Sequence, residues 1–329
     1  MKRRLTGARV IITGASSGIG RQLALQLARA GAKLVLNARR AELLESLRQE
    51  ITQANSKRKR PTFVEIVVGD ITQELTRREV IARAIGVYGG LDVLINNAGG
   101  AATGLFETGS PERLKKVMDL NFVSMVEMTR LALPLLKREM QPVAAAVGVA
   151  PIIVNFSSIV GYRGVTHYSE YCAAKFAVRG FSESLRTELD PYGIDVLVVS
   201  PGSTDTEFFT RYIENTGEPT WPNHKRVTPQ YVAKKVVRAI RRGKHRIMPF
   251  FLGHVMCFLS SFAPSLMDRI MLHYARVGQR KVEEEELQAT GEFPGSEGAS
   301  FETPSDVVGE GSPMAPPPPQ PIDPTGELR

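Results

Sequence analysis

An α/β fold is predicted: a doubly wound parallel sheet of about seven strands with helices on both faces, then an apolar helical extension and a disordered tail. Three observations predict it. Continuous apolar runs of strand length alternate with helical periodicity from Arg9 to Met248, the pattern of parallel strands buried on both faces. The first run enters a glycine-rich turn that opens a helix. From Glu283 the chain turns acidic and then rich in Gly, Ser and Pro, with Pro316-Pro317-Pro318-Pro319 near its end, a composition unable to bury a core. The expected division is residues 1–248 for the sheet domain, 249–282 for the apolar extension and 283–329 for the tail.

A chain of 329 residues is long enough for one large α/β domain with an appendage. Its two cysteines, Cys172 and Cys257, argue against a disulfide framework and for a reducing, cytoplasmic setting. Met1-Lys2-Arg3-Arg4 runs straight into the first strand, so it reads as a charged start and not as a leader. The formal net charge of +8 hides an asymmetry: residues 283–329 hold eleven acids and one base, leaving 41 bases and 23 acids in the body. Such a basic body favours anionic partners, among them a phosphorylated cofactor or an acidic membrane surface. No nucleic-acid module is evident, and Lys57-Arg58-Lys59-Arg60 reads as a solvated loop between helix and strand.

In chain order, Arg9 to Thr13 is the first strand, and Gly14, Ser16, Ser17, Gly18, Ile19 and Gly20 form the turn into a helix over Gln22 to Ala28. Glycine lets the backbone turn tightly and lets a pyrophosphate reach the N–H groups at the positive end of that helix. Further strands are read at Lys33 to Asn37, Thr62 to Val68, Leu91 to Ile95, Pro151 to Phe156, Ile194 to Val199 and His245 to Met248. The glycine turn, Asn96-Asn97-Ala98-Gly99 and Ser158 all follow strands, so they should converge on the carboxyl edge of the sheet, where such folds hold their ligands. The longer apolar connection from Glu139 to Ala150 is a candidate lip of a cleft or a partner contact.

Tyr171 and Lys175 stand four apart in Tyr171-Cys172-Ala173-Ala174-Lys175, so their heads can meet on one helix face. A cation beside a phenol favours the phenolate and is expected to lower the tyrosine's pKa from about 10 toward working pH. That makes Tyr171 a candidate general acid/base. Cys172 reads as an apolar filler.

The spacing Gly14-x-x-x-Gly18-x-Gly20, Asn96-Asn97-Ala98-Gly99 after the fourth strand and Ser158 thirteen residues before Tyr171 together resemble the short-chain dehydrogenase/reductase family, a Rossmann-type fold. The resemblance covers Arg9 to Met248. It implies hydride transfer between a nicotinamide cofactor and a ketone or secondary alcohol, with Asn121, Ser158, Tyr171 and Lys175 as an active tetrad. Ser158 would donate to the substrate oxygen, Tyr171 would move the proton, Lys175 would hold the nicotinamide ribose, and Asn121 would interrupt its helix and hold a water leading to Lys175. Asp70 and Ile71 resemble the adenine contact, Asp70 having the alternative role of capping the next helix. Asn97, Ala98, Gly99, Pro201, Gly202, Thr204 and Thr206 resemble segments that line the rest of the cofactor. Where a carboxylate would bind the ribose diol stands Ala38, followed by Arg39 and Arg40, which favours NADP(H), with Arg39 as the main phosphate fork. No metal is expected. Family members usually pair into dimers or tetramers, so a homodimer or homotetramer is implied.

Ile247 to Met267 holds 21 residues without a formal charge, preceded by a basic stretch from Lys234 to Arg246. Length would permit a span, but Pro249, Gly253 and Pro264 interrupt it. An interfacial helix or lid, a dimer contact or core segment, and a span all stay open. The first resembles membrane-associated steroid, retinol and 3-ketosphinganine reductases and fits a lipid-like ketone. A small soluble carbonyl compound or a 3-oxoacyl thioester is the alternative substrate, and a non-catalytic NADP(H) sensor using the acidic tail is the alternative class.

Overall fold

The structure, a computed structural model, describes residues 3–57, 59, 61–139, 149–217 and 226–290. Seven parallel strands form one sheet: β1 Arg9–Thr13, β2 Lys33–Ala38, β3 Val64–Val68, β4 Val93–Asn96, β5 Ile152–Phe156, β6 Asp195–Val199 and β7 Arg246–Ile247. Their order is β3-β2-β1-β4-β5-β6-β7. The chain steps outward from β1 to β3, then crosses back to place β4 on the other side of β1. Helices fill each crossover: α1 Gly18–Arg29, α2 Ala41–Ser56, α3 Glu74–Tyr88, α4 Pro111–Met118, α5 Ser124–Leu136, α6 Ser169–Leu189 and α7 Pro229–Arg242.

Two apolar layers explain why every central strand is a continuous hydrophobic run. Val10, Ile12, Leu34, Leu36, Val154 and Leu197 point to one face, where they pack with residues of α1, α2 and α7. Ile11, Val35, Leu94, Ile153 and Val196 point to the other, against α3, α5 and α6. At the amino edge the buried Arg9 and Asp92 form a two-pronged ion pair, Nε to Oδ2 at 2.9 Å and Nη2 to Oδ1 at 2.7 Å, which leaves neither charge uncompensated in the core.

Predicted and observed strands agree to within three residues at every end. The last is cut to half its expected length, because β7 is an edge strand that pairs with β6 through Arg246 and Ile247 alone. After it the apolar segment does not continue as one helix: α8, Phe251–Phe262, stops at Ala263, and α9, Pro264–Thr290, starts on a proline. Among the described residues no helix is long and apolar enough to cross a membrane. The tail expected to be unstructured from Glu283 is helical as far as Thr290, because Glu, Leu, Gln and Ala are strong helix formers. The described residues as far as Lys281 form one compact unit, which includes α8 and the first part of α9. Arg58, Arg60, most of the 139–150 connection and residues 291–329 lie outside the described residues.

Candidate active site

The carboxyl ends of β1, β2, β4, β5 and β6 open into one cleft of about 990 Å³, at the point where the order reverses beside β1. Every residue of the expected cofactor set lines this cleft except Gly20. Gly20 instead lets the turn close: a side chain there would strike the Gly14 carbonyl. Gly14 (φ 66°) sits so near Ala98 that a Cβ would lie 2.8 Å from its Cα. Asn97 fixes this approach by donating to the carbonyls of Thr13 and Gly14, each at 3.0 Å. The N-terminus of α1 has no acidic residue in its first turn and no side-chain cap, so its N–H groups face the cleft free for an anion.

At the end of β2, Ala38 is buried and Arg39 lies largely in solvent, 3.8 Å from Asp70. Arg40 turns inward, donating to Ser17 Oγ at 2.7 Å and to Ser16 Oγ at 3.3 Å. A backbone cradle, a helix N-terminus and two guanidinium groups fit the phosphates of a dinucleotide. Asp70 does not cap the next helix, whose N-cap is Gln73. Its Oδ1 accepts from the N–H and hydroxyl of Thr72 at 2.9 and 2.8 Å, an Asx-type turn that presents it to the cleft.

The expected tetrad comes together at the other end. Ser158 follows β5, its Oγ accepting from Val160 N at 3.3 Å, and stands close enough to act on the Tyr171 phenol. Lys175, one turn on along α6, is buried, donates to the Phe156 carbonyl at 2.9 Å and lies 5.5 Å from the centre of the Tyr171 ring. Asn121 falls within a π-helical segment, Asp119–Val123, between α4 and α5. Its amide donates to Gly100 O at 2.8 Å and Val117 O at 2.9 Å while Oδ1 accepts from Gly100 N at 3.3 Å. Asn121 and Lys175 converge on Gly99, where a Cβ would meet Asn121 Oδ1 at 2.8 Å and Lys175 Nζ at 3.4 Å. Ser157, the neighbour of Ser158, instead donates to Lys175 O at 2.8 Å and pins the helix.

One expectation is overturned by burial. Burial pushes the Tyr171 phenol up, well above its ordinary value, and the Ser158 hydroxyl only partly offsets it. The same burial lowers the Lys175 ammonium to about 7. Spacing brought the two heads together, but with Lys175 itself desolvated it is not held as the full cation that would stabilise a phenolate.

Sequence reasoning missed the opposite wall. After β6, the short 3-10 turn Glu207–Phe209 and the residues behind it bring Phe208, Phe209, Tyr212 and Ile213 into the cleft. The Phe208 ring centre is 5.5 Å from that of Tyr171. Tyr168 pairs its hydroxyl with that of Tyr212 at 3.1 Å, and burial drives its phenol upward. The aromatic run Phe208, Phe209, Tyr212 was the available signal. The buried ion pair of Arg113 and Glu170, 2.6 Å at its closest, had none, since its partners are far apart in sequence.

With fold and site in place, the class follows: a nicotinamide-dependent oxidoreductase on a Rossmann-type sheet. A family profile described as short chain dehydrogenase matches residues 8–217, and the chain belongs to that family. It is 35% identical over 275 residues to an 11-beta-hydroxysteroid dehydrogenase of Pinus massoniana, covering 80% of this chain and 73% of that one. It is 32% identical over 259 residues to a 3-ketodihydrosphingosine reductase of Dictyostelium discoideum, covering 74% and 75%. A short-chain dehydrogenase from Sphingobium yanoikuyae in complex with NADPH superposes with a TM-score of 0.63 at 27% identity, covering 83% and 95% of the two chains. A Burkholderia phymatum member in complex with NAD gives 0.69 at 22% identity, covering 80% and 96%, a likeness of fold.

Proposed function

We propose that this chain is an NADP(H)-dependent reductase that converts an apolar, lipid-like ketone of the 3-keto lipid, steroid or retinoid kind to its secondary alcohol. The observation that carries the reading is the meeting of Ser158, Tyr171 and Lys175 under an aromatic wall of Phe208 and Tyr212, at one end of a cleft whose other end is a phosphate cradle. The names of the steroid dehydrogenase and ketosphinganine reductase relatives support the substrate class.

The bound nicotinamide supplies the hydride. Ser158 Oγ donates to the substrate oxygen as negative charge builds there, and the Tyr171 hydroxyl, held protonated by burial, delivers the proton to it. Lys175 in its charged form would stabilise the tyrosinate left behind. Asn121 holds the Gly99-Gly100 strip against Lys175. Arg39 and Arg40 take the 2′-phosphate. Phe208, Tyr212 and Ile213 exclude water from the reacting carbon.

The sheet domain, residues 1–248, carries this chemistry, and residues 249–282 seat it on a membrane surface from the cytoplasmic side. Phe258, Phe262 and Leu266 stand 60%, 75% and 49% exposed beyond a basic α7 that bears Lys234, Lys235, Arg238, Arg241 and Arg242, a combination suited to anionic lipid. A homodimer or homotetramer is the assembly the family leads us to expect. The deciding experiment is a panel of ketones and secondary alcohols with NADPH and NADH, followed at the nicotinamide absorbance band. Turnover of apolar ketones with NADPH supports the reading, and turnover of small soluble carbonyl compounds alone refutes its substrate half.

A further inference from the structure

The loop after β6 brings a carboxylate to the cofactor half of the cleft. Glu207 Oε2 accepts from Arg40 Nη1 at 2.7 Å and lies 3.5 Å from Arg211 Nε. The other amino group of Arg40 donates to Ser17 and Ser16. One guanidinium therefore ties the glycine turn on one lip to the turn after β6 on the other, and all four residues line the cleft. Glu207 thus faces two arginines, Arg40 and Arg211. A cofactor phosphate must compete with this carboxylate for Arg40.

We propose that Glu207 is a specificity-determining counter-ion: it occupies Arg40 in the free protein and is displaced by a cofactor phosphate on entry. The inference rests on the NADP(H) reading and adds a second determinant outside the strand that carries Arg39 and Arg40. The pair is built to exchange, because its side chains are 23% and 46% exposed and an exposed ion pair is weak. Glu207 meets Arg40 through one nitrogen alone, whereas a phosphate can take a planar bidentate contact with more negative charge. The retained Glu207 charge repels every cofactor phosphate, and repels NADPH, with its additional phosphate, more than NADH.

The test is a titration of NADPH and NADH into the full-length protein by nicotinamide fluorescence, at low and moderate salt, for the parent, Glu207→Gln and Glu207→Asp. Glu207→Gln should bind NADPH about two- to fivefold more tightly, with a smaller gain for NADH, and the advantage should shrink as salt rises. Glu207→Asp keeps the charge and should stay near the parent. A parent that prefers NADPH while Glu207→Gln binds it equally or more weakly overturns the inference and leaves the cofactor reading standing. A parent that prefers NADH overturns that reading, and the inference with it.

Discussion

Replacing Lys175 with Met should make the free protein more stable at neutral pH, and the size of the effect should depend on pH in a defined way. Lys175 is 4% exposed, its Nζ donates to the Phe156 carbonyl, and burial lowers its pKa from 10.5 to about 7. Between those values the unfolded chain holds a proton that the folded chain releases, so folding is penalised at low pH and stability rises with pH. The slope is about 1.4 kcal/mol per pH unit where the two states differ by one proton. From pH 7 to 9.5 it accumulates to about 3 kcal/mol. Tyr171 works in the opposite sense, because its raised pKa makes stability fall where unfolded tyrosine ionises near 10, so the window ends below that. Met removes the titration and also one hydrogen bond to a buried carbonyl, a loss of about 1 kcal/mol that does not vary with pH. Urea denaturation of parent and Lys175→Met at half-unit pH steps checks it. The parent should gain on the variant steadily through the window, and parallel stability curves would refute the claim that Lys175 is desolvated.

Three further outcomes are expected. Tyr171→Phe should lower turnover by at least on the order of 10²-fold while NADPH binding, measured by fluorescence titration, changes little; wild-type turnover would remove Tyr171 as the proton donor. Arg39→Ala should weaken NADPH by about tenfold, the loss of one charge-assisted hydrogen bond, and leave NADH nearly unchanged; equal losses would move the 2′-phosphate contact elsewhere. Phe258→Asp with Phe262→Asp should abolish co-sedimentation with anionic liposomes and leave hydride transfer to a soluble ketone intact; binding that survives the double change would place the membrane contact on another face.

What the sequence made legible was what local pattern encodes. Parallel strands buried on both faces read as unbroken apolar runs, so β1 through β6 could be placed from Arg9 to Val199, whereas β7 rests on two edge residues and its limits carry no hydrophobic signature. The Gly14 to Gly20 spacing announces its own geometry because no other residue tolerates it. Asp70 shows the limit of such reasoning: a carboxylate after a strand suits a cap and an Asx turn equally, and only the position of Gln73 decides. Glu207, Phe208 and Arg113 escaped because their importance comes from what faces them, Arg40, Tyr171 and Glu170, across distant parts of the chain.

The most informative mismatch is in the tyrosine and lysine themselves. An i,i+4 spacing guarantees proximity, and proximity alone argues for a lowered phenol pKa. Burial is not a local property, however, and it acts on both groups at once, favouring the neutral phenol and the neutral amine. The resting site thus holds Tyr171 as an acid. A neutral phenol can give a proton to an oxygen that receives hydride at its carbon, but it cannot take one from an alcohol until its pKa falls. Donation to a ketone oxygen therefore uses the protonation state that burial favours, whereas accepting a proton from an alcohol needs the tyrosinate, which burial opposes. Ketone reduction should accordingly hold its rate as pH rises from 7 toward 9, because burial keeps the Tyr171 proton in place, and a reduction rate that falls tenfold per pH unit from pH 7 would show that burial does not hold the phenol protonated.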